Sequence, residues 1–301
     1  MANQNLQYPI EFVSNITDIF GEQGSEWLKQ IPNQVLELEK KWQFNLDQML
    51  PNLTYSYVAS VTLSKGRDGI LKLAPSCSRT NAENAWYQCN QKGTPQVYNS
   101  DPTMGAILMQ RLVPGSSLKK KVQLGADDEA TLQLAKAIRN LQPGPHSDYE
   151  FKHVAILADD LSELEGKIDS DLIDRAKSIF KEFTYDRSND YPLHGDIHHD
   201  NILLNENDWL VIDPHGYMGP RSFEVGAMLR NPYDCFPSGD QKRIIHRRLS
   251  ILLSELSFQK EEILAWSYAY TLLAAAWSVS DHHEVPKEHL EIAKLVLEFK
   301  P

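Results

Sequence analysis

The sequence predicts an α+β chain of two lobes, a small antiparallel sheet followed by a larger, mostly helical lobe, and three observations carry this. Strand-like runs punctuated by turn residues cluster between residues 53 and 113, helical periodicity dominates on both sides of them, and one strand-like island, residues 202–213, interrupts the second helical stretch. The boundaries implied are a helical prefix at 1–50 packed on the small lobe, the sheet at 51–113 and the helical lobe at 114–301.

Each element follows from its local pattern. From Ile10 to Lys41 the segment "EWLKQIPNQVLELEKKW" spaces its apolar residues by threes and fours, then meets the polar break "NLDQMLPN". "YSYVASVTLSKGRDGILKLAPS" reads as two strands joined by "KGRDG", whose glycines suit a hairpin turn. A short helix, "TNAENAWYQCNQ", precedes two further strands around "NSDPTMG", which are closed by Pro114 and Gly115. "DDEATLQLAKAIRNLQPG" opens with acids that suit a helix N-terminus and stops at Pro143. Further helices are expected at 169–183, 240–256, 260–282 and 287–299, with the 202–213 island the one β-like feature among them. The apolar segment 263–279 carries Ser, Thr and two tyrosines, and reads as a buried helix rather than a membrane span.

Composition narrows the function classes. A formal charge of -11 on 301 residues argues against a nucleic-acid binder, because phosphate contacts need clustered Lys and Arg. It suits a cationic small-molecule partner, or simply solubility. The partner expected is a cationic or polyol small molecule, with no membrane. Cys77, Cys89 and Cys235 form no CxxC pair, so reduced thiols are expected. The first residues lack a basic segment followed by an apolar core, which points to a cytoplasmic protein.

Chemistry concentrates in "LHGDIHHDNILLNENDWLVIDPHG", residues 193–216. His194, His198, His199 and His215 raise the reading of an imidazole-held metal. Gly195 and the strand that follows break the helix such a site needs, and loop-fixing hydrogen bonds are the better expectation for these rings. In a hairpin that pairs Leu204 with Trp209, Ile202 faces Val211 and Asn201 faces Ile212, with Asp213 one step beyond. Asn201 and Asp213 then share one rim with Asp196, five residues earlier. An amide and a carboxylate suit Mg²⁺, and the free carboxylate of Asp196 is a candidate to accept a hydroxyl proton.

The same spacing occurs in kinases, where a catalytic Asp precedes a metal-binding Asn by five residues and a second metal-binding Asp follows. The upstream sheet supplies counterparts for the rest. Lys72 sits inside the apolar run "GILKLAPS", Glu83 lies on the following helix, and the backbone of Gln110 and Leu112, backed by Met109, could face an adenine edge. The phosphate-covering loop falls on "SYVASVTL", which has no glycine, and Ser60 is its candidate nucleotide contact.

With both halves in place the chain resembles the kinase-like aminoglycoside phosphotransferases, and most of all the aminoglycoside/hydroxyurea antibiotic resistance kinases, a branch that includes streptomycin 6-phosphotransferases. "GILKL" with Glu83, "LMQRLVPGSSL", "LHGDIHHDNIL" and "WLVIDPHGYMGPRSFEVGAMLRNP" carry the resemblance over roughly residues 55 to 285. It implies a protein-kinase-like fold and ATP-dependent, Mg²⁺-assisted phosphorylation of an aminoglycoside hydroxyl. By position it implies Asp196 as the catalytic aspartate, Asn201 and Asp213 as metal ligands, and Lys72 with Glu83 as the phosphate-clamping pair. Asp200, Glu224, Asp234 and Asp281 are candidate contacts for ammonium or guanidinium groups, while Trp266 and Trp277 read as core. Two alternatives stand beside this: a kinase of another small metabolite such as an amino alcohol, sugar or hydroxyurea, and a catalytically silent nucleotide-binding module.

Overall fold

The computed structural model describes residues 8–90, 92–141, 149–236 and 239–299, so the first residues of the prefix and the helix stop expected at Pro143 lie outside it. The described prefix is helix α1 (Ile10–Trp42), interrupted at Gly21 and closed by Gln43 in the left-handed conformation. Its stripe of Phe12, Ile16, Trp27, Leu28, Ile31, Val35 and Leu38 is buried and shares one core with Tyr57, Val61, Leu71 and Leu108. Each large side chain fully buried there contributes about 1.5–3 kcal/mol, which ties the prefix to the sheet.

The run expected as a polar break after α1 is strand β1 (Phe44–Met49). It pairs antiparallel with β2 (Tyr57–Leu63) through a register irregularity between Leu46 and Gln48. Only Phe44 is buried along it, so the period-2 signal is weak, and the strand exists because β2 offers it a backbone ladder. β3 (Asp68–Leu73) follows the expected turn, then come α2 (Ser78–Cys89), β4 (Val97–Asp101) and β5 (Ala106–Gln110). The strands order as β1-β2-β3-β5-β4, with every neighbour antiparallel.

By its contacts the chain divides into two compact units, one running up to Asn84 and resuming at Pro95–Leu112, the other comprising Ala85–Thr94 and everything from Val113 onward. The second unit contains β6 (Pro114–Ser117), α3 (Lys119–Gln123), α4 (Asp127–Asn140), a 3-10 run (Val154–Leu164), α5 (Ser170–Phe183) and β7 (Asp190–Leu193). It continues with β8 (Ile202–Asn205), β9 (Asp208–Val211), β10 (Tyr217–Pro220), α6 (Gln241–Glu255), α7 (Lys260–His282) and α8 (Lys287–Val296). The hairpin has the register read from sequence, Leu204 opposite Trp209 and Ile202 opposite Val211, with the Ile212 N–H donating to the Asn201 carbonyl at 2.9 Å.

The hairpin is not the only β structure in this unit, as the sequence had implied. β6 adds to the β8 edge, and β7 pairs antiparallel with β10. Both are four-residue strands whose partners lie far along the chain, so no local alternation marks them. Among the described residues α7 alone is long and apolar enough to cross a membrane, and 72% of its apolar window is buried within the protein.

A buried ion pair joins α4 to α6. Arg248, 0% exposed, forks onto the Asp127 carboxylate and also donates through Nη1 to the carbonyls of Met228 and Asn231, at 3.0 and 2.5 Å. Replacing Arg248 by Met strands the Asp127 charge and is expected to lower unfolding free energy by about 3–5 kcal/mol in urea titrations. The Asp127→Leu/Arg248→Met double variant should cost less than either single change, because no uncompensated charge remains.

Candidate functional site

The centre of the second unit is built on the β7–β10 pair. β7 ends at Leu193, opposite Tyr217 on β10, and the next residue, His194, accepts backbone bonds from His215 and Gly216 at 2.8 and 3.2 Å. The turn then needs a glycine. Gly195 has φ +83°, and a Cβ there would lie 2.7 Å from Tyr217 Cδ2.

The two N–H groups at this turn have no strand to pair with. Glu224 supplies the acceptors: Oε1 takes the His194 N–H at 2.6 Å and Oε2 the Gly195 N–H at 3.0 Å. Glu224, expected as a surface contact for a cationic substrate, is 6% exposed and is instead a clamp on the loop backbone. Burial raises its pKa to about 7 against the pull of those two donors. A sequence signal existed, since Glu224 lies between Phe223 and Val225 in an apolar run.

The imidazoles do scaffold work. His194 accepts the Asp196 N–H on Nδ1 at 3.1 Å and donates from Nε2 to the Ile212 carbonyl at 2.8 Å, so one ring bridges the loops on either side of the hairpin. Its burial lowers the pKa to about 4, which keeps the ring neutral, as Nδ1 acceptance requires. His199 is buried with neither ring nitrogen hydrogen-bonded. Burial, reinforced by the charge of Arg248, lowers its pKa well below the ordinary histidine value.

Asp196 projects from this frame. Its Oδ1 accepts the Tyr270 hydroxyl at 2.8 Å, while Oδ2 lies 3.5 Å from His198 Nε2 and 3.6 Å from His215 Nε2. Burial opposes its charge, but His198, His215 and the Tyr270 hydroxyl together hold the carboxyl well below the usual carboxylate range. Asn201 donates its amide N–H to the Asp196 carbonyl at 3.0 Å, a bond that does not use its Oδ1. Asp213 adopts a left-handed φ of +59°, a conformation that costs a non-glycine residue about 1 kcal/mol. Its N–H donates to the Tyr87 hydroxyl at 3.1 Å, one of the contacts that hold it there. The Asn201 amide oxygen and the Asp213 carboxylate, at the same end of the hairpin's two strands, are hard-oxygen donors of the kind that could hold Mg²⁺, with the Asp196 carboxylate left outside that pair.

In the first unit, Lys72 on β3 pairs with Glu83 on α2 at 2.6 Å. Gln110 donates its N–H to the Gln96 carbonyl at 2.8 Å, so that group is engaged within the sheet edge and not directed at a ligand, and Met109 is buried beside it. Leu112, also buried, ends this unit's share of the chain. Ser60 does not lie in a phosphate loop. It is 6% exposed in the middle of β2 and donates to the Gln48 carbonyl at 3.2 Å, because the run read as a loop is a central strand. The connection between the first two strands is residues 50–56, and it too has no glycine.

Of the remaining acids, Asp200 and Asp234 are exposed and converge on Lys119, at 4.0 and 2.9 Å from its Nζ. Asp281 is exposed near the end of α7. Sequence reasoning missed Tyr270, Tyr87 and Lys119, because their roles depend on distant partners. Trp266 is core, as expected, with its Nε1 donating to Ser222 at 3.1 Å.

This architecture is the protein-kinase-like fold. A choline/ethanolamine kinase family protein from Mesorhizobium loti shares that fold at 12% identity and a TM-score of 0.60, over 84% of this chain and 88% of its own. The chain belongs to the aminoglycoside/hydroxyurea antibiotic resistance kinase family, whose sequence pattern matches residues 41–282. It is 29% identical to a streptomycin 3''-kinase of Klebsiella pneumoniae over 80% of this chain and 91% of that one. It is 25% identical to a streptomycin 6-kinase of Streptomyces glaucescens over 92% of each.

The buried groups set a pH response. His194, His199 and His289 have depressed pKa values, so each takes up a proton on unfolding as pH falls below the ordinary histidine value near 6.5. Glu224, with a raised pKa, releases one in the same range. The histidines win, with a net uptake of about two protons at pH 5 and a loss of about 2 kcal/mol of stability per pH unit between 6 and 5. Urea midpoints measured across that range should fall accordingly, and a flat profile would contradict the neutral histidines.

Proposed function

We propose that this protein is an ATP-dependent O-phosphotransferase that modifies a hydroxyl of an aminoglycoside, with streptomycin as the first candidate. The observation that carries the reading is the Asp196 carboxylate, whose Oδ1 accepts the Tyr270 hydroxyl at 2.8 Å while Asn201 bonds the Asp196 carbonyl at 3.0 Å and Asp213 follows β9 of the same hairpin. The names of the curated relatives, both streptomycin kinases, support the acceptor class. A net charge of -11 and the exposed Asp200 and Asp234 suit a polycationic substrate.

In this reading Asp196 orients the acceptor hydroxyl and takes its proton as the oxygen attacks the terminal phosphorus of ATP. Lys72, steadied by Glu83, holds the nucleotide phosphates, while Met109 with the carbonyl of Gln110 and the backbone of Leu112 line the adenine. Asn201 Oδ1 and Asp213 would hold Mg²⁺, which would supply neutralisation of the phosphate charge. Catalysis is then mainly positioning and charge stabilisation.

A second reading, a nucleotide-binding module without turnover, is favoured by the glycine-free connection at 50–56. Incubation with Mg-ATP and a panel of aminoglycosides, followed by mass detection of an added phosphoryl group, separates the two. We expect streptomycin to be modified and Asp196→Ala to cut kcat by about 10²–10⁴-fold with nucleotide affinity unchanged. Wild-type turnover in that variant removes Asp196 from the chemistry, and nucleotide binding with no acceptor modified favours the silent module.

A further inference from the structure

Helix α7 is mostly core, and Trp266, Tyr268, Leu272 and Leu273 are buried along it. Tyr270 is buried with them, 2% exposed, but its position exceeds what packing needs. The ring lies directly on Gly226, where any Cβ would sit 2.6 Å from the Tyr270 Cβ, so only glycine admits it. Phe223 meets the ring edge-on at 5.5 Å and Trp277 at 5.7 Å. Trp277 is itself fixed by a 2.9 Å bond from Nε1 to Asp160 Oδ2. The ring is therefore held on several sides, and its hydroxyl arrives at a set point.

That point lies 2.8 Å from Asp196 Oδ1 and 3.1 Å from the Gly195 carbonyl. The hydroxyl has one proton for two acceptors, and the shorter, charged contact is the stronger. Without it the carboxylate is free to turn, because the contacts on Oδ2, from His198, His215 and the Asn201 amide, are all 3.4–3.6 Å long. Burial and the neighbouring Asp196 charge keep the Tyr270 hydroxyl well above its ordinary pKa, so it remains a neutral donor at every working pH.

We propose that Tyr270 is a positioning residue for the phosphotransfer base: its hydroxyl occupies Asp196 Oδ1, fixes the plane of the carboxylate and leaves Oδ2 as the atom that receives the acceptor-hydroxyl proton. The inference rests on Asp196 as the base. The proton moves from the acceptor oxygen to Oδ2 as that oxygen bonds to phosphorus and the bond to the nucleoside diphosphate breaks. Tyr270 keeps its own proton throughout. A ring that served packing alone would be replaced by phenylalanine without consequence.

Wild type, Tyr270→Phe, Asp196→Ala and the double variant are compared with Mg-ATP and streptomycin, after urea midpoints establish that Tyr270→Phe is folded. We expect Tyr270→Phe to lose about 10–100-fold in kcat with both KM values within about twofold of wild type, as an interaction made in the transition state requires. In the Asp196→Ala background the same change should cost nothing further, since the group it positions is gone. Wild-type kcat in Tyr270→Phe, or an equal loss in both backgrounds, overturns the proposal and leaves Asp196 as base intact. Full activity in Asp196→Ala defeats the underlying reading instead. If wild type does not modify streptomycin, the four proteins are ranked on hydrolysis of Mg-ATP by water, with the same pattern expected and the same outcomes decisive.

Discussion

The site depends on the grip of Glu224 on the backbone of His194 and Gly195. At that turn the chain leaves β7 in a left-handed conformation, and two amide protons are directed away from any strand. Buried and unpaired, each such donor costs on the order of 1–3 kcal/mol. A carboxylate satisfies both with charge-assisted bonds, and the burial that makes the grip rigid also raises the acid's pKa to about 7. The loop is tied to the interior through one side chain some 30 residues downstream.

From that anchor the remaining groups follow in order. His194 can bridge the Asp196 N–H and the Ile212 carbonyl only because its own backbone is fixed, and only as a neutral ring. Asn201 then holds the Asp196 carbonyl while presenting its oxygen, and the hairpin carries the chain on to Asp213. Asp213 pays in backbone strain for its placement, with the Tyr87 hydroxyl as one of its restraints. Strain and buried charge gather where oxygen atoms must be aimed, as in a site whose work is orientation.

The first unit solves a separate problem. A lysine inside an apolar strand needs a counter-charge, and Glu83 supplies it across the short gap between β3 and α2. The long α1 helix gives this small sheet a core large enough to stand on, since seven buried residues of that helix share it with the strands. The prefix is therefore part of the unit's stability and not an appendage to it.

Local physics made much of this legible from the residues alone. The hairpin register came out correctly because alternation and a tight polar turn leave one pairing that buries Ile202 and Val211 together. The β2–β3 turn, helix α1 and the four late helices were legible for the same reason, as periodicity is written over neighbouring residues. The spacing of Asp196, Asn201 and Asp213, with Lys72 and Glu83 upstream, was equally local. Tertiary structure decided the rest: β1, β6 and the β7–β10 pair, Ser60 as a strand residue and not a loop contact, Glu224 as a clamp and not a substrate contact, and Tyr270 against Asp196. Each of these turns on which distant groups share a buried space, and burial is a property of the folded chain that no window of sequence contains.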